Sequence, residues 1–297
     1  MTASTLQHTP LPYSGHGGFV AAAVEVVREA IDDDALPVVL AEPGEIAQVR
    51  KTVGAARDEV LGFDMSVAGR NPARLLPALR HFLDDHPGRQ LACISEPVKA
   101  EVPSAVLREV ELHELLIGLP VLHTWNFRLI CAYDTEALPG PVVDMMADAH
   151  ADHSTDPLSK VERARAEPLP PRPMHSEELG VDMTTLGALR GFIQGRAQRA
   201  GLDEERVDDL VYAVNEVVTN SICHGEGRAR VSFWTEDSSV ICEVRDRGFI
   251  RDPLAGRVAP RSDRQSGRGL WLVNQLCDLV QLRSSPAGTT LRLYIEA

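Results

Sequence analysis

The sequence predicts two α/β domains in tandem, on three observations. A chain of 297 residues has room for two hydrophobic cores at roughly 100 to 200 residues each. Short apolar runs alternate with helical stretches through the first half, the pattern of a parallel sheet flanked by helices. Charge then shifts across a proline-rich seam: residues 1 to 153 hold 11 basic and 22 acidic side chains, residues 176 to 297 hold 15 and 18. In that seam, Pro157, Pro168, Pro170, Pro171 and Pro173 favour extended chain. A linker is therefore expected over residues 154–177, between domains at 1–153 and 178–297.

Bulk properties remove several classes of function. With 44% hydrophobic and 25% charged residues the chain is of ordinary globular composition, neither collagen-like, disulfide-scaffolded nor disordered. A net charge of −13 disfavours nucleic acid and anionic membrane as direct partners. No apolar run approaches the ~20 residues of a membrane span, and the first residues lack a basic-then-apolar leader, so a cytoplasmic location is expected. Cys93, Cys131, Cys223, Cys242 and Cys277 are odd in number and form no CxxC pair, the pattern of buried reduced thiols rather than of disulfides or a zinc site. Only Lys51, Lys99 and Lys160 are lysines, and none follows a glycine. That removes the phosphate loop of GxxxxGK[ST] type, and a second domain without lysine removes the protein-kinase type of ATP site.

In the first domain, strands are expected at LPVVLA (36–41), EVLGFDM (59–65), QLACIS (90–95) and FRLICAY (127–133). Helices are expected at FVAAAVEVVREAI, EIAQVRKTVG, SAVLREVELHELLIG and NPARLLPALRHFLDD, the last with Asn71 as cap and Pro72 in its first turn. The Gly-Gly of SGHGGF has no apolar strand before it and reads as a turn. His113, in VELHELLIGLP, invites comparison with a histidine phosphoacceptor box. Its proline is displaced to Pro120, and a helix-surface or packing histidine is the preferred reading. His150 and His153, in DAHADH, could share one helical face with Asp148 or Asp152 and hold a metal ion, but a solvated helix end is preferred. The run GFDMSVAGRNPARLLPALRHFLDDH, with LHELLIG and LICAYD, resembles the MEDS sensory domain that precedes actinobacterial anti-sigma regulators, over about residues 8 to 153. The resemblance implies a RecA-like α/β fold without a working phosphate loop, and a sensing role.

The second domain opens on two helices. Leu186, Leu189, Ile193 and Ala197 mark the first, ended by Gly201. Asp203 caps the second, whose stripe of Val207, Leu210, Val211, Val214, Val217, Val218 and Ser221 faces a core. Glu216 and Asn220 then fall one turn apart on the opposite face. Strands RARVSFWT and SSVICEVRD follow, the latter ending at Asp246-Arg247-Gly248. Next comes an 18-residue stretch, FIRDPLAGRVAPRSDRQS, too polar and proline-containing for core and of a length typical of functional lids. They lead into Gly267-Arg268-Gly269-Leu270 at the head of helix GLWLVNQLCD, where glycines let backbone N–H groups approach an anion. Strands DLVQLRSS and TTLRLYIEA close the chain around Pro286-Ala287-Gly288. Seven arginines and three acids lie between Arg245 and Arg268. They form either a solvated loop or cations that balance triphosphate charge or contact an acidic partner.

This ordered set, ExxxN on a helix, DxG after a strand, a long loop, GxGL opening a helix and GT before the last strand, resembles the GHKL (Bergerat) ATP-binding α/β sandwich. Within it, the sequence is similar to anti-sigma-factor serine kinases of the RsbW type, over about residues 178 to 297. The resemblance implies Glu216 as general base and Asn220 as Mg²⁺ ligand. It implies Asp246 as the acceptor of the adenine amino group, with Gly248 allowing close approach. Gly267, Arg268 and Gly269 would close over the phosphates, with Leu270 counted among the nucleotide-binding residues. Thr289 would support the adenine side, and His224 matches the histidine that ends the family's helical motif. Phe249-Ile250 stands where many relatives carry a further glycine, which bears on lid flexibility more than on nucleotide binding. The implied function is that of a transcription regulator of stress-response type: it binds ATP and Mg²⁺, sequesters a sigma factor, and phosphorylates a serine of a STAS-type anti-sigma-factor antagonist. Homodimers are common among kinases of this type. Two other readings stay open, a non-enzymatic sigma-binding module whose shape ATP stabilises, and a sensor histidine kinase acting through His113.

Overall fold

The structure, a computed structural model, describes residues 6–15, 17–150, 156–259 and 267–297. It divides into two compact units, Met1–Lys160 and Val161–Ala297. No helix among the described residues is long and apolar enough to cross a membrane.

The first unit is built on a parallel sheet of β1 (Gln7–Tyr13), β2 (Leu36–Ala41), β3 (Leu61–Asp64), β4 (Leu91–Ser95) and β5 (Phe127–Asp134), in the order β1-β5-β4-β2-β3. Central strands β2 and β4 are buried at every residue, the reason they read as continuous apolar runs. Helices α1 (Gly18–Asp32), α2 (Pro43–Val53), α3 (Met65–Ala68), α4 (Leu75–Asp85), α5 (Ser104–Ile117) and α6 (Gly140–His150) fill the connections. Glu42 and Glu45 form a reciprocal capping box ahead of α2. Asn71 accepts from the Ala73 amide at 3.2 Å, capping the single 3-10 turn that feeds α4. Strand β1 lies outside the sequence expectation. Its Pro10 and Pro12 lower strand propensity, and they are tolerated because β1 is an edge strand paired on one side only.

The second unit is an antiparallel sheet of β6 (Glu177–Asp182), β7 (Arg228–Glu236), β8 (Ser239–Asp246), β9 (Leu279–Ser285) and β10 (Gly288–Glu296), ordered β6-β7-β8-β10-β9. Alternate residues Val231, Phe233, Cys242, Val244, Leu291, Leu293 and Ile295 form one core with Leu189 and Ile193 of α8 (Leu186–Arg199) and with Val207, Leu210, Val214, Val217 and Val218 of α9 (Glu204–His224). That is a two-layer sandwich with helices on one face. Asp203 caps α9 by accepting from the Arg206 amide at 2.8 Å. The short α10 (Gly269–Leu276) packs beside α9.

The opposite face of this sheet is polar yet buried. Glu243 is 0% exposed; Arg292 donates to its Oε2 through Nε (3.0 Å) and Nη2 (2.5 Å), and Arg245 Nε lies 2.6 Å from its Oε1. Arg292 also donates to the carbonyl of Pro170 at 2.8 Å. The stretch expected to be extended linker thus reaches this face. It also contains a helix, α7 (Pro157–Ala166), which buries Val161 and Arg165. Pro157 sits at the first turn of α7, where a missing N–H costs nothing, so a proline count over this stretch overstated its extended character.

One histidine reading holds and one changes. His113 is 2% exposed within α5, a packing position closed to phosphotransfer. The His150 side chain turns inward at 1% exposure rather than lying on a solvated helix end, and Asp148 is exposed on another face. Asp152 and His153, the other half of that metal reading, lie outside the described residues.

Candidate nucleotide site

Helix α9 carries its apolar stripe into the core, and the 3.6-residue period leaves Glu216 and Asn220 half-buried on the other side. Against them comes the head of α10. A methyl group on Gly269 would stand 2.5 Å from Glu216 Oε2 and 3.4 Å from Asn220 Nδ2. The backbone at the first turn of α10 therefore lies against the carboxylate, and a side chain at Gly269 would oblige the Glu216 carboxylate to shift. Next to it Gly267 has φ +94°, in the left-handed region, with open space around it. Arg268 is exposed at the N-cap position and uses no side-chain cap, so the free amides of this turn face outward. Leu270 anchors the turn by packing on the core.

Asp246, at the end of β8, is held from two sides. Its Oδ1 accepts from the Gly248 amide at 2.6 Å, and Ser221 Oγ donates to its Oδ2 at 2.6 Å. Gly225, just past α9, makes room for it, since a Cβ there would lie 2.6 Å from Asp246 Oδ1. Thr289, 2% exposed, donates to the Gly248 carbonyl at 2.7 Å and shares a 2.7 Å bond with Ser284 Oγ, which accepts from the Ile250 amide at 2.8 Å. Thr289 thus holds the DxG turn in place rather than projecting from it. Gly288, at φ +138°, lets the last hairpin run against the Asp246 carbonyl, 2.6 Å from where a Cβ would be. His224 ends α9 exposed to solvent.

The long loop is anchored through its described half. Arg165, from α7, donates to the Ile250 carbonyl at 2.9 Å, and Asn274 of α10 donates to the Gly256 carbonyl at 3.0 Å. Burial, together with the neighbouring Arg257 charge, pushes the Arg165 guanidinium down to about 10. The remaining residues, 260–266, with Arg261 and Arg264, lie outside the described residues. The arginine excess does not converge on one point. Arg245 pairs with Glu243, Arg247 lies 3.6 Å from Glu226, Arg251 stacks over Phe249 and Arg257 is 6% exposed. Arg268 remains beside the Gly269 turn.

Glu216, Asn220, Gly267, Arg268 and Gly269 therefore meet at one end of α9 and α10, while Asp246, Gly248 and Thr289 meet at the neighbouring ends of β8 and β10. Sequence reasoning missed Ser221, Ser284, Gly225, Asn274 and Arg165. Ser221 was counted in the apolar stripe of α9. Its signal, a hydroxyl one position from Asn220 on an otherwise aliphatic face, was present but local.

Known proteins resemble both parts of the chain. Residues 180–295 match the family model of the histidine kinase-like ATPase domain. Residues 7–151 match that of the methanogen/methylotroph DcmR sensory (MEDS) domain. A serine-protein kinase RsbW of Oceanobacillus iheyensis is 26% identical over 113 residues, 33% of this chain and 72% of that protein. Serine-protein kinase RsbW of Listeria monocytogenes is 30% identical over 115 residues, 34% of this chain and 72% of that protein. A crystal structure of RsbU and RsbW domains from Mycobacterium tuberculosis aligns at 19% identity with a TM-score of 0.30, covering 53% of this chain and 49% of that one. With a histidine kinase-like ATPase domain behind a MEDS domain, and with relatives of this identity and coverage, the chain belongs to the family of RsbW-type serine-protein kinases.

Proposed function

We propose that the second unit binds ATP with Mg²⁺ and phosphorylates a serine of an anti-sigma-factor antagonist, alternating between that antagonist and a sigma factor. The observation that carries this reading is the contact of the Gly269 backbone with Glu216, which sets a carboxylate and a carboxamide against a glycine-flanked helix start. The donor set suits a magnesium-bound triphosphate: Asn220 offers an amide oxygen to a hard cation, and the first amides of α10 suit phosphate oxygens. Bound ATP–Mg²⁺ supplies the γ-phosphoryl group and the cation that offsets its charge.

Glu216 is the group placed to take the proton from an incoming serine hydroxyl. Asp246, fixed by Gly248 and Ser221, keeps acceptor capacity on both oxygens for an exocyclic amine. Arg268 stands at the turn where it would meet phosphate charge, and no lysine is needed. Thr289 and Ser284 keep the Asp246-Arg247-Gly248 turn from drifting. Residues 7–151, as a MEDS domain, supply the sensory input.

The test uses the full chain, labelled ATP, Mg²⁺ and the cognate antagonist. Label should appear on serine, and Glu216→Gln should reduce transfer by at least about a hundredfold, the lower range of general-base contributions, with ATP affinity retained. A wild-type protein that binds ATP and never labels the antagonist sinks the kinase reading and leaves the non-enzymatic module.

A further inference from the structure

We propose that the first unit binds a single divalent transition-metal ion, zinc by class, through His8, Glu114, Cys131 and His150. The four side chains come from β1, α5, β5 and α6 and converge inside the unit, each 4% exposed or less. One donor atom from each lies within 4.8 Å of all the others. The distances suit a shared ion. His8 Nε2 is 2.9 Å from Glu114 Oε2 and 3.3 Å from Cys131 Sγ, and His150 Nε2 is 3.2 Å from the same Glu114 oxygen. Nitrogen and oxygen ligands at ~2.0–2.1 Å from a tetrahedral ion stand roughly 3.3 Å apart.

His150 supplies a second argument. Its Nδ1 is 2.7 Å from the Met146 carbonyl, which can only accept, so Nδ1 carries a proton and Nε2 is the atom turned to the carboxylate at 3.2 Å. Either a second proton or a metal ion joins Nε2 to Glu114, and the thiol and second imidazole gathered at the same oxygen are what point to the metal. The Met146 contact is also the kind of outer hydrogen bond that orients a metal-bound imidazole. Two neutral imidazoles, a thiolate and a carboxylate around a dication sum to zero charge, the state a buried site tolerates. The thiol proton leaves to solvent as the metal binds. An imidazole, thiolate and carboxylate set selects a borderline ion over Mg²⁺ or Ca²⁺. Four protein donors close the coordination shell, as in non-catalytic sites. The inference is independent of the kinase reading, since it concerns residues outside the ATPase domain.

Full-length protein stripped with chelator, then loaded with Zn²⁺ and gel-filtered without nucleotide, should retain one equivalent by elemental analysis. Loaded instead with Co²⁺, it should show tetrahedral d–d bands and a thiolate charge-transfer band. That band should vanish in Cys131→Ser and persist in Cys93→Ser, and His8→Gln should weaken zinc binding by more than about tenfold. Wild-type protein that retains well below one equivalent, or lacks the thiolate band, overturns the proposal and leaves a histidine–carboxylate ion pair held by a proton. A band that survives Cys131→Ser does the same. The wild-type spectrum decides the matter even where a variant does not fold.

Discussion

Gly269 shows how much a single methyl group decides. Alanine there places a carbon 2.5 Å from Glu216 Oε2, so either the carboxylate or the α10 turn must move. Gly269→Ala is expected to lower ATP affinity at least about tenfold, roughly 1.4 kcal/mol, in a calorimetric titration. Gly187→Ala, where a Cβ meets nothing within 4 Å, should leave affinity unchanged. Arg292 makes the energetic counterpart. Arg292→Ala leaves Glu243 fully buried with a diminished set of donors, and denaturant unfolding should report a loss of about 3–5 kcal/mol. At this scale the sequence was most legible where chemistry follows helical spacing, as with Glu216 and Asn220. It was least legible at Ser221 and Ser284, whose partners Asp246 and Thr289 come from other elements. The four donors of the first unit are a further case, because no two of them share an element and no spacing signature can join them.

Among the elements, the central strands and the edge strands β3 and β9 declared themselves, while the edge strands β1 and β6 did not. β2 and β4 are buried throughout and read as apolar runs, whereas β6 is mostly exposed, holds Gly180 and gave no alternation to read. α7 was lost for the opposite reason, since proline at a helix start resembles proline in a linker until the buried Val161 is seen. The start of α8 offers a pH test. The Asp182 carboxylate accepts from the amides of Thr184 (2.9 Å) and Thr185 (3.1 Å) and from both hydroxyls, and these bonds hold its pKa below the usual carboxylate range. A lowered folded-state value means that the stabilisation is complete above the unfolded value of about 3.9 and is withdrawn as pH falls through the folded one. Wild type should therefore lose more melting temperature than Asp182→Asn between pH 7 and pH 3. Equal losses would remove Asp182 from the account.

For the molecule as a whole, the acidity lies in the first half, and the second domain holds no lysine and only a small net negative charge. The stretch 161–173 belongs to the second compact unit, with Arg165 tied to Ile250 and Arg292 tied to Pro170. A fragment of residues 157–297 should accordingly melt higher than one of residues 178–297, by thermal denaturation; equal melting would show that the stretch adds no stability. Two-domain α/β organisation was legible from alternation and charge, and the ATPase motifs from their order. How the stretch between them packs was not, because the outer face of the second sheet sets Glu243 and Arg292 among Trp234 and Ile241, a mixture with no alternation to show what covers it.

Strand β1 has a consequence for how the chain is made. It pairs only with β5, which begins 114 residues after β1 ends. At ~5–20 residues per second of synthesis, β1 waits roughly 6 to 23 s for its partner to emerge. A waiting strand is a template for the wrong neighbour, and Pro10 and Pro12 remove two of the donors such a neighbour would use. His8 waits with it, so the buried four-residue cluster closes only when β5 and then α6 have left the ribosome. Docking of the first strand therefore waits on one of the last elements of its unit to be made, and its prolines guard the interval.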